Sequence, residues 1–133
     1  MIYLDGSSLT IDQVVEIARN KAEVGLSEEA KKNIQISRDI VEKNIEEKKV
    51  IYGLNTGFGK FVNVAISENE LDKLQLNLIL SDAVGVGDPF KQDVTRAIML
   101  LRVNALAKGF SGIRLSTVET MIAMLNKGVH PVI

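Results

Sequence analysis

Asp88-Pro89-Phe90-Lys91-Gln92-Asp93-Val94-Thr95-Arg96-Ala97-Ile98-Met99-Leu100-Leu101-Arg102-Val103-Asn104-Ala105-Leu106-Ala107-Lys108-Gly109 is the stretch that decides the fold class. Asp88 is a residue type that caps helix N-termini, and Pro89 suits the first helical position, where a missing N–H costs nothing. Val94, Ala97, Ile98, Leu101 and Ala105 then recur at helical spacing and predict a core-facing stripe. Lys108-Gly109 reads as the C-terminal stop. One long helix is expected here.

Helical signals continue in both directions. Downstream, Ser116-x-x-Glu119 has the form of a capping box, followed by Met121, Ile122 and Leu125 and a stop at Lys127-Gly128. Upstream, Gly85-Val86-Gly87 breaks a third helix that opens with Ser67-x-x-Glu70. Its Leu71, Leu74 and Leu78 share one side, and Leu76, Ile79 and Leu80 add others, so burial on more than one face is expected. A second helix opens at Ser27, with Glu28 and Glu29 in its first turn, and carries Ala30, Ile34, Val41 and Ile45 to an end near Lys48-Lys49. Its charges Glu42, Lys43, Glu46, Glu47, Lys48 and Lys49 read as a solvated face. The first helix has Thr10 as N-cap, Gln13 as reciprocal partner, and Leu9 placed to staple Val14. Val50-Ile51-Tyr52 fits a brief strand or an extended entry to a loop. No alternating segment of useful length appears, and the fold class expected is all-α, one helical domain over residues 1–133.

Composition narrows the function. Sixteen Lys+Arg against seventeen Asp+Glu leave a net charge of -1, unlike the basic stripe of a nucleic-acid binder. There is no Cys, which removes disulfides, thiolate catalysis and Cys-based zinc. The single His130 stands beside Pro131 and lacks partners for a triad or metal site; a partly buried surface position is expected for it. Met99, Met121 and Met124 are expected in the core. No apolar run is longer than that from Ala97 to Leu101, far short of the roughly 18 residues that span a bilayer. Met1-Ile2-Tyr3-Leu4-Asp5 has no basic leader, so a cytoplasmic protein with no membrane and no nucleic-acid partner is expected. Gly53 and Gly59 are spaced wrongly for a phosphate loop, and Phe61 stands where Ser or Thr is needed. Gly85-Val86-Gly87-Asp88-Pro89-Phe90 lacks the third glycine of a dinucleotide fingerprint.

What remains is Tyr52-Gly53-Leu54-Asn55-Thr56-Gly57-Phe58-Gly59, whose glycine density suits unusual backbone angles or close approach to a ligand. This loop resembles the signature of the histidine and aromatic amino-acid ammonia-lyases. The resemblance continues in Leu74-Gln75-Leu76-Asn77-Leu78, in Ser81-Asp82-Ala83-Val84-Gly85-Val86-Gly87, and in Leu101-Arg102-Val103-Asn104-Ala105-Leu106-Ala107-Lys108-Gly109-Phe110-Ser111-Gly112. The opening Leu4-Asp5-Gly6 with Ser8-Leu9-Thr10 also fits.

The resemblance implies the N-terminal helical portion of a fumarase/aspartase-like fold, in a homotetramer with shared active sites. It implies Tyr52 as the catalytic base, with Gly53, Asn55, Thr56, Gly57, Phe58 and Gly59 as the active-site loop. It places substrate-binding residues at Ser81 and Asp82. Histidine-type members carry Ser-His at this pair, tyrosine-type ones His-Leu, and phenylalanine-type ones an aromatic-apolar pair. Ser81 agrees with the histidine type, and Asp82 departs from it while keeping an acceptor for an imidazole N–H. Capping or ion-pairing within the fold is the plainer role for Asp82. Relatives make the electrophile methylidene-imidazolone (MIO) from an internal Ala-Ser-Gly, which is absent from these 133 residues. The expectation is the N-terminal part of an enzyme turning L-histidine into urocanate and ammonia, inactive alone. The alternatives are a lyase for another aromatic amino acid such as tyrosine, or a non-enzymatic helical interaction module.

Overall fold

The structure, a computed structural model, describes residues 1–47, 49, 51 and 68–133, and of residues 68–72 the backbone alone. Two compact units result: Met1–Val41 with Asp88–Ile133, and Glu42–Gly87. The glycine loop, Val50 and Tyr52 of the short apolar stretch, Lys48 of the charged face and Ser67 of the expected capping box lie outside the described residues.

The first unit opens with β1 (Ile2–Leu4), α1 (Ile11–Ala18) and β2 (Val24–Leu26), a parallel pair with a helical crossover. Ile2 pairs with Val24, Tyr3 with Gly25, and Leu4 with Leu26. These strands are an addition to the all-helical expectation. Three residues each, one of them containing glycine, are too short to display a period of two. The outer edge of β2 is closed by a side chain: the Val24 N–H donates to Asn126 Oδ1 (3.0 Å), and Asn126 Nδ2 donates to the Val24 carbonyl (2.8 Å). The Thr10–Gln13 capping box forms as its spacing predicts. The Gln13 N–H donates to Thr10 Oγ1 (3.3 Å) and the Thr10 N–H to Gln13 Oε1 (3.0 Å). Leu9 and Val14 are both partly buried against the core.

α2 (Glu28–Glu46) begins where Ser27 Oγ accepts the Ala30 N–H (3.1 Å), and it ends two residues before the expected lysines. Ala30 and Ile34 are buried, Val41 and Ile45 half-buried, and Glu42, Lys43, Glu46, Glu47 and Lys49 exposed. α4 (Gln92–Ala107), whose number leaves α3 (Glu68–Asp82) for the second unit, packs against α1 and against α5 (Leu115–Lys127). It corrects the sequence reading twice. The helix starts at Gln92 rather than Pro89, because Lys91 is extended and the Phe90 amide donates to the Ile133 carbonyl (2.7 Å). Asp88 therefore caps nothing. The buried face is Thr95, Arg96, Met99, Leu100, Val103 and Ala107, whereas Val94, Ile98, Leu101 and Ala105 are exposed and Ala97 half-buried. Apolar residues occur on both faces of this helix, and the buried face is the one that carries Thr95 and Arg96.

α5 likewise starts at Leu115 with Arg114 as N-cap and no side-chain cap bond, so Ser116 lies inside the helix and the expected box does not form. Its end at Gly128 is as expected, with φ 71°. Val118, Ile122 and Leu125 are buried; Met121 and Met124 are partly buried beside the fully enclosed core, which includes Met99. His130 is half-buried.

The turn between α4 and α5 lies on α2. The Gly112 N–H donates to Ser37 Oγ (2.9 Å), and Arg38 Nη1 donates to the Gly112 carbonyl (3.3 Å). At Gly109, φ is +75° and a Cβ would sit 2.6 Å from the Asn33 backbone, so only glycine permits this approach.

In the second unit, α3 is followed by an exposed segment through Gly87. Leu74 and Leu78 are half-buried, and Leu76, Ile79 and Leu80 are more than half exposed. Burial on several faces was the expectation; among the described side chains of α3 only Leu74 and Leu78 are partly covered.

Candidate functional site

Of the residues nominated for chemistry, the structure places Ser81 and Asp82, and it places them together at the C-terminal end of α3. Tyr52, Gly53, Asn55, Thr56, Gly57, Phe58 and Gly59 lie outside the described residues. The helix ends here because its ladder closes with the Ala83 N–H donating to the Ile79 carbonyl (3.0 Å), after which the Val84 N–H turns back to the Asp82 carbonyl (2.8 Å). Both side chains are exposed.

Their hydrogen-bonding capacity is one-sided. Ser81 Oγ donates its proton to the Leu78 carbonyl (2.8 Å), a back-bond within its own helix, which leaves lone pairs facing outward. An ionised Asp82 has acceptors only. The last turn of α3 holds no basic residue, so the negative end of the helix dipole is uncompensated there. Such an end favours a cation or an N–H donor and gives a bare hydrocarbon ring nothing to bond.

The first unit contains none of the nominated residues, yet it explains parts of the matched stretch 101–112. Asn104 Oδ1 accepts the Gly6 N–H (3.2 Å), tying the N-terminal turn to α4, while Arg102 and Arg114 are exposed. The sequence reading gave Arg96 no role. It is 2% exposed, and its guanidinium donates to the carbonyls of Ala18 (3.1 Å), Leu125 (2.7 Å) and Ile17 (2.8 Å). The run Arg96, Leu100, Val103, Ala107 at helical spacing was the available signal. Beside the turn at Gly109, a groove of about 600 Å³ is lined by Ile36, Ile40, Val41 and Phe110. Among the described residues no group of three His, Asp or Glu is arranged to hold a metal ion, and no helix is long and apolar enough to cross a membrane.

Comparison with known proteins follows the same lines. The family model described as aromatic amino acid lyase matches residues 9–133. The histidine ammonia-lyase of Caldanaerobacter subterraneus subsp. tengcongensis is 58% identical over 132 residues, which is 99% of this chain and 26% of that protein. The crystal structure of histidine ammonia-lyase from Trypanosoma cruzi superposes with a TM-score of 0.92 at 40% identity, covering 99% of this chain and 25% of that one. Tyrosine aminomutase from Streptomyces globisporus gives a TM-score of 0.92 at 36% identity over 99% of this chain and 25% of its own. The chain thus spans about a quarter of the length of these relatives. With residues 9–133 matched by the family model and nearly the whole backbone superposed, this chain belongs to the aromatic amino acid lyase family and folds as the N-terminal part of it.

Proposed function

We propose that this chain is the N-terminal part of an ammonia-lyase that converts L-histidine to urocanate and ammonia. The observation that carries the substrate is the acceptor-only pair at the end of α3. An imidazolium has two N–H donors for the Ser81 lone pairs and the Asp82 carboxylate, a phenol has one donor, and a phenyl ring has none. Identity to proteins named histidine ammonia-lyase supports the same choice.

Ammonia loss needs removal of a weakly acidic β-proton, and Tyr52 is assigned that step. A phenol with an ordinary pKa of about 10 does this near neutrality only where neighbouring donors or cations favour phenolate. By the family resemblance Gly53, Asn55, Thr56, Gly57, Phe58 and Gly59 are assigned to the active-site loop, whose role would be to exclude water from the bound substrate. In the family the electrophile that activates the substrate is MIO. The residues here do not fit its formation, because no Ala-Ser-Gly occurs in the 133, so the chain alone carries no lyase activity. Incubation of the purified chain with L-histidine should give no urocanate absorbance, and turnover would refute this. In a full-length protein, Tyr52→Phe should lower turnover by roughly 10²–10⁴-fold with the melting temperature unchanged. Unchanged turnover would remove Tyr52 from the base role.

A second reading, a helical interaction module, rests on the exposed Leu76, Ile79 and Leu80 of α3 and Val94, Ile98 and Leu101 of α4. In the enzyme these side chains are covered by the rest of a cytoplasmic homotetramer; in a module they meet another partner. Self-association of the chain, read by light scattering, is expected on the enzyme reading, and a monomer at high concentration would favour the module.

A further inference from the structure

We propose that Asp5–Gly6 is a latent isoaspartate site that the Asn104 side chain holds closed. An Asp-Gly pair rearranges when the glycine nitrogen attacks Asp Cγ. A C–N bond forms, and one carboxyl oxygen leaves as water together with the amide proton. Water then opens the five-membered imide at either carbonyl, returning aspartate or leaving a β-linked backbone with an extra methylene in the main chain. The reaction needs a free glycine N–H and a carboxyl group able to swing back onto it.

The structure blocks both requirements. The Gly6 N–H is donated to Asn104 Oδ1 (3.2 Å). The Asp5 carboxylate is turned forward, with Oδ1 accepting the N–H of Ser7 (2.7 Å) and of Ser8 (2.8 Å). These two bonds also hold its pKa down to about 2, which keeps it in the ionised form that is slowest to lose an oxygen. Gly6 is buried with φ +88°, and the space beside its Cα is filled by the Lys108 side chain and backbone and by the Asn104 carbonyl. Asp5 itself is exposed, so water reaches the site. The consequence of opening is local and specific. An extra methylene after Leu4, a core residue 1% exposed, shifts β1 against Asn104.

The test is a rate comparison at 37 °C and neutral pH between the folded chain and a synthetic peptide of residues 1–13. Isoaspartate at position 5 is quantified by proteolytic mapping and by enzymatic methylation of the isoaspartyl carboxylate. The folded chain is expected to react about tenfold more slowly than the peptide, and Asn104→Ala roughly fivefold faster than wild type, the factor one neutral hydrogen bond supplies. Asn104→Asp keeps an oxygen acceptor and is expected to stay close to wild type. Circular dichroism establishes that each variant is folded; should Asn104→Ala unfold, Asn104→Ser, whose shorter side chain also withdraws the acceptor, is measured in its place. A folded wild-type chain reacting as fast as the peptide overturns the proposal, as does a folded Asn104→Ala protein reacting at the wild-type rate.

Discussion

Arg96 is the residue whose replacement should cost this fold most. Its guanidinium is 2% exposed and joins three carbonyls, two at the end of α1 and one near the end of α5. None of the ion pairs among the described residues includes it, so its charge is met by two helix C-termini instead of a carboxylate. In Arg96→Met the volume is largely kept and the cation's own desolvation cost disappears. The loss is then set by the stranded acceptors. Leu125 O retains the Gly128 amide (3.2 Å), whereas the Ile17 and Ala18 carbonyls lose the donor that reached them. At about 1–3 kcal/mol for each buried orphan, the cost is about 2–6 kcal/mol, a large part of the stability of an ordinary small domain. Arg96→Lys should lose nearly as much, because a point charge cannot span the three directions that the fork covers. Urea unfolding followed by circular dichroism reads both as a fall in midpoint at constant slope. A Met variant within about 0.5 kcal/mol of wild type, the range of an ordinary surface substitution, would refute this account. A Lys variant equal to wild type would show that charge matters and geometry does not.

Other perturbations follow from single contacts. Gly109→Ala should destabilise by about 2–5 kcal/mol, combining an unfavourable φ of +75° with a Cβ 2.6 Å from the Asn33 backbone; a change below about 1 kcal/mol would mean that α2 yields at no cost. Lys21 has φ +58° without being glycine, so Lys21→Gly should be neutral or stabilising by up to about 1 kcal/mol, read as a rise in melting temperature. The Asp5 carboxyl is lowered from 3.8 to about 2, chiefly by the Ser7 amide and then by the Ser8 amide. Because the folded value lies below the unfolded one, the turn's contribution is complete above pH 4 and is lost as pH falls toward 2. The Ser7 and Ser8 amide chemical shifts should therefore titrate near pH 2, and titration near pH 4 would show that the bonds do not form.

Helix number and the chemistry of several ends could be read from residue types, because those signals are local. Thr10 with Gln13, Ser27 with Ala30, and Gly109 and Gly128 after their helices each act within one turn of chain. The failures involve partners distant in sequence. Asp88-Pro89 looks like a helix start until the Ile133 carbonyl takes the Phe90 amide. Val94, Ile98 and Leu101 look like the core of α4 until Arg96, aimed at carbonyls 78, 79 and 29 residues away, turns the opposite face inward. The two strands exist through pairing across a helix and through the Asn126 amide, neither of which a three-residue window contains. At the candidate site, the family resemblance pointed to Ser81 and Asp82, but the loss of Ser81 as a donor depends on the direction of one hydroxyl.

The stretches that resemble the lyase family therefore separate by what they do. Leu4-Asp5-Gly6 and the run from Leu101 to Gly112 meet across the first unit. Asn104 receives Gly6 there, Gly109 lies on Asn33, and Gly112 bonds Ser37. Each of these three is a close backbone approach or a side chain spent on backbone. Ser81-Asp82 differs in kind, since both side chains end a helix, stand exposed and present acceptors outward. A hydroxyl tied back to its helix and a carboxylate at a negative dipole end gain nothing for folding from being left in water. On the function proposed above, their arrangement gains its value when a donor-bearing ligand arrives, and the catalytic question would rest on the second unit. Substitutions in the first unit should register as stability; if the proposed histidine site is correct, Asp82→Asn should weaken substrate binding in a full-length protein with its melting temperature unchanged, and unchanged binding would remove Asp82 from the proposed site.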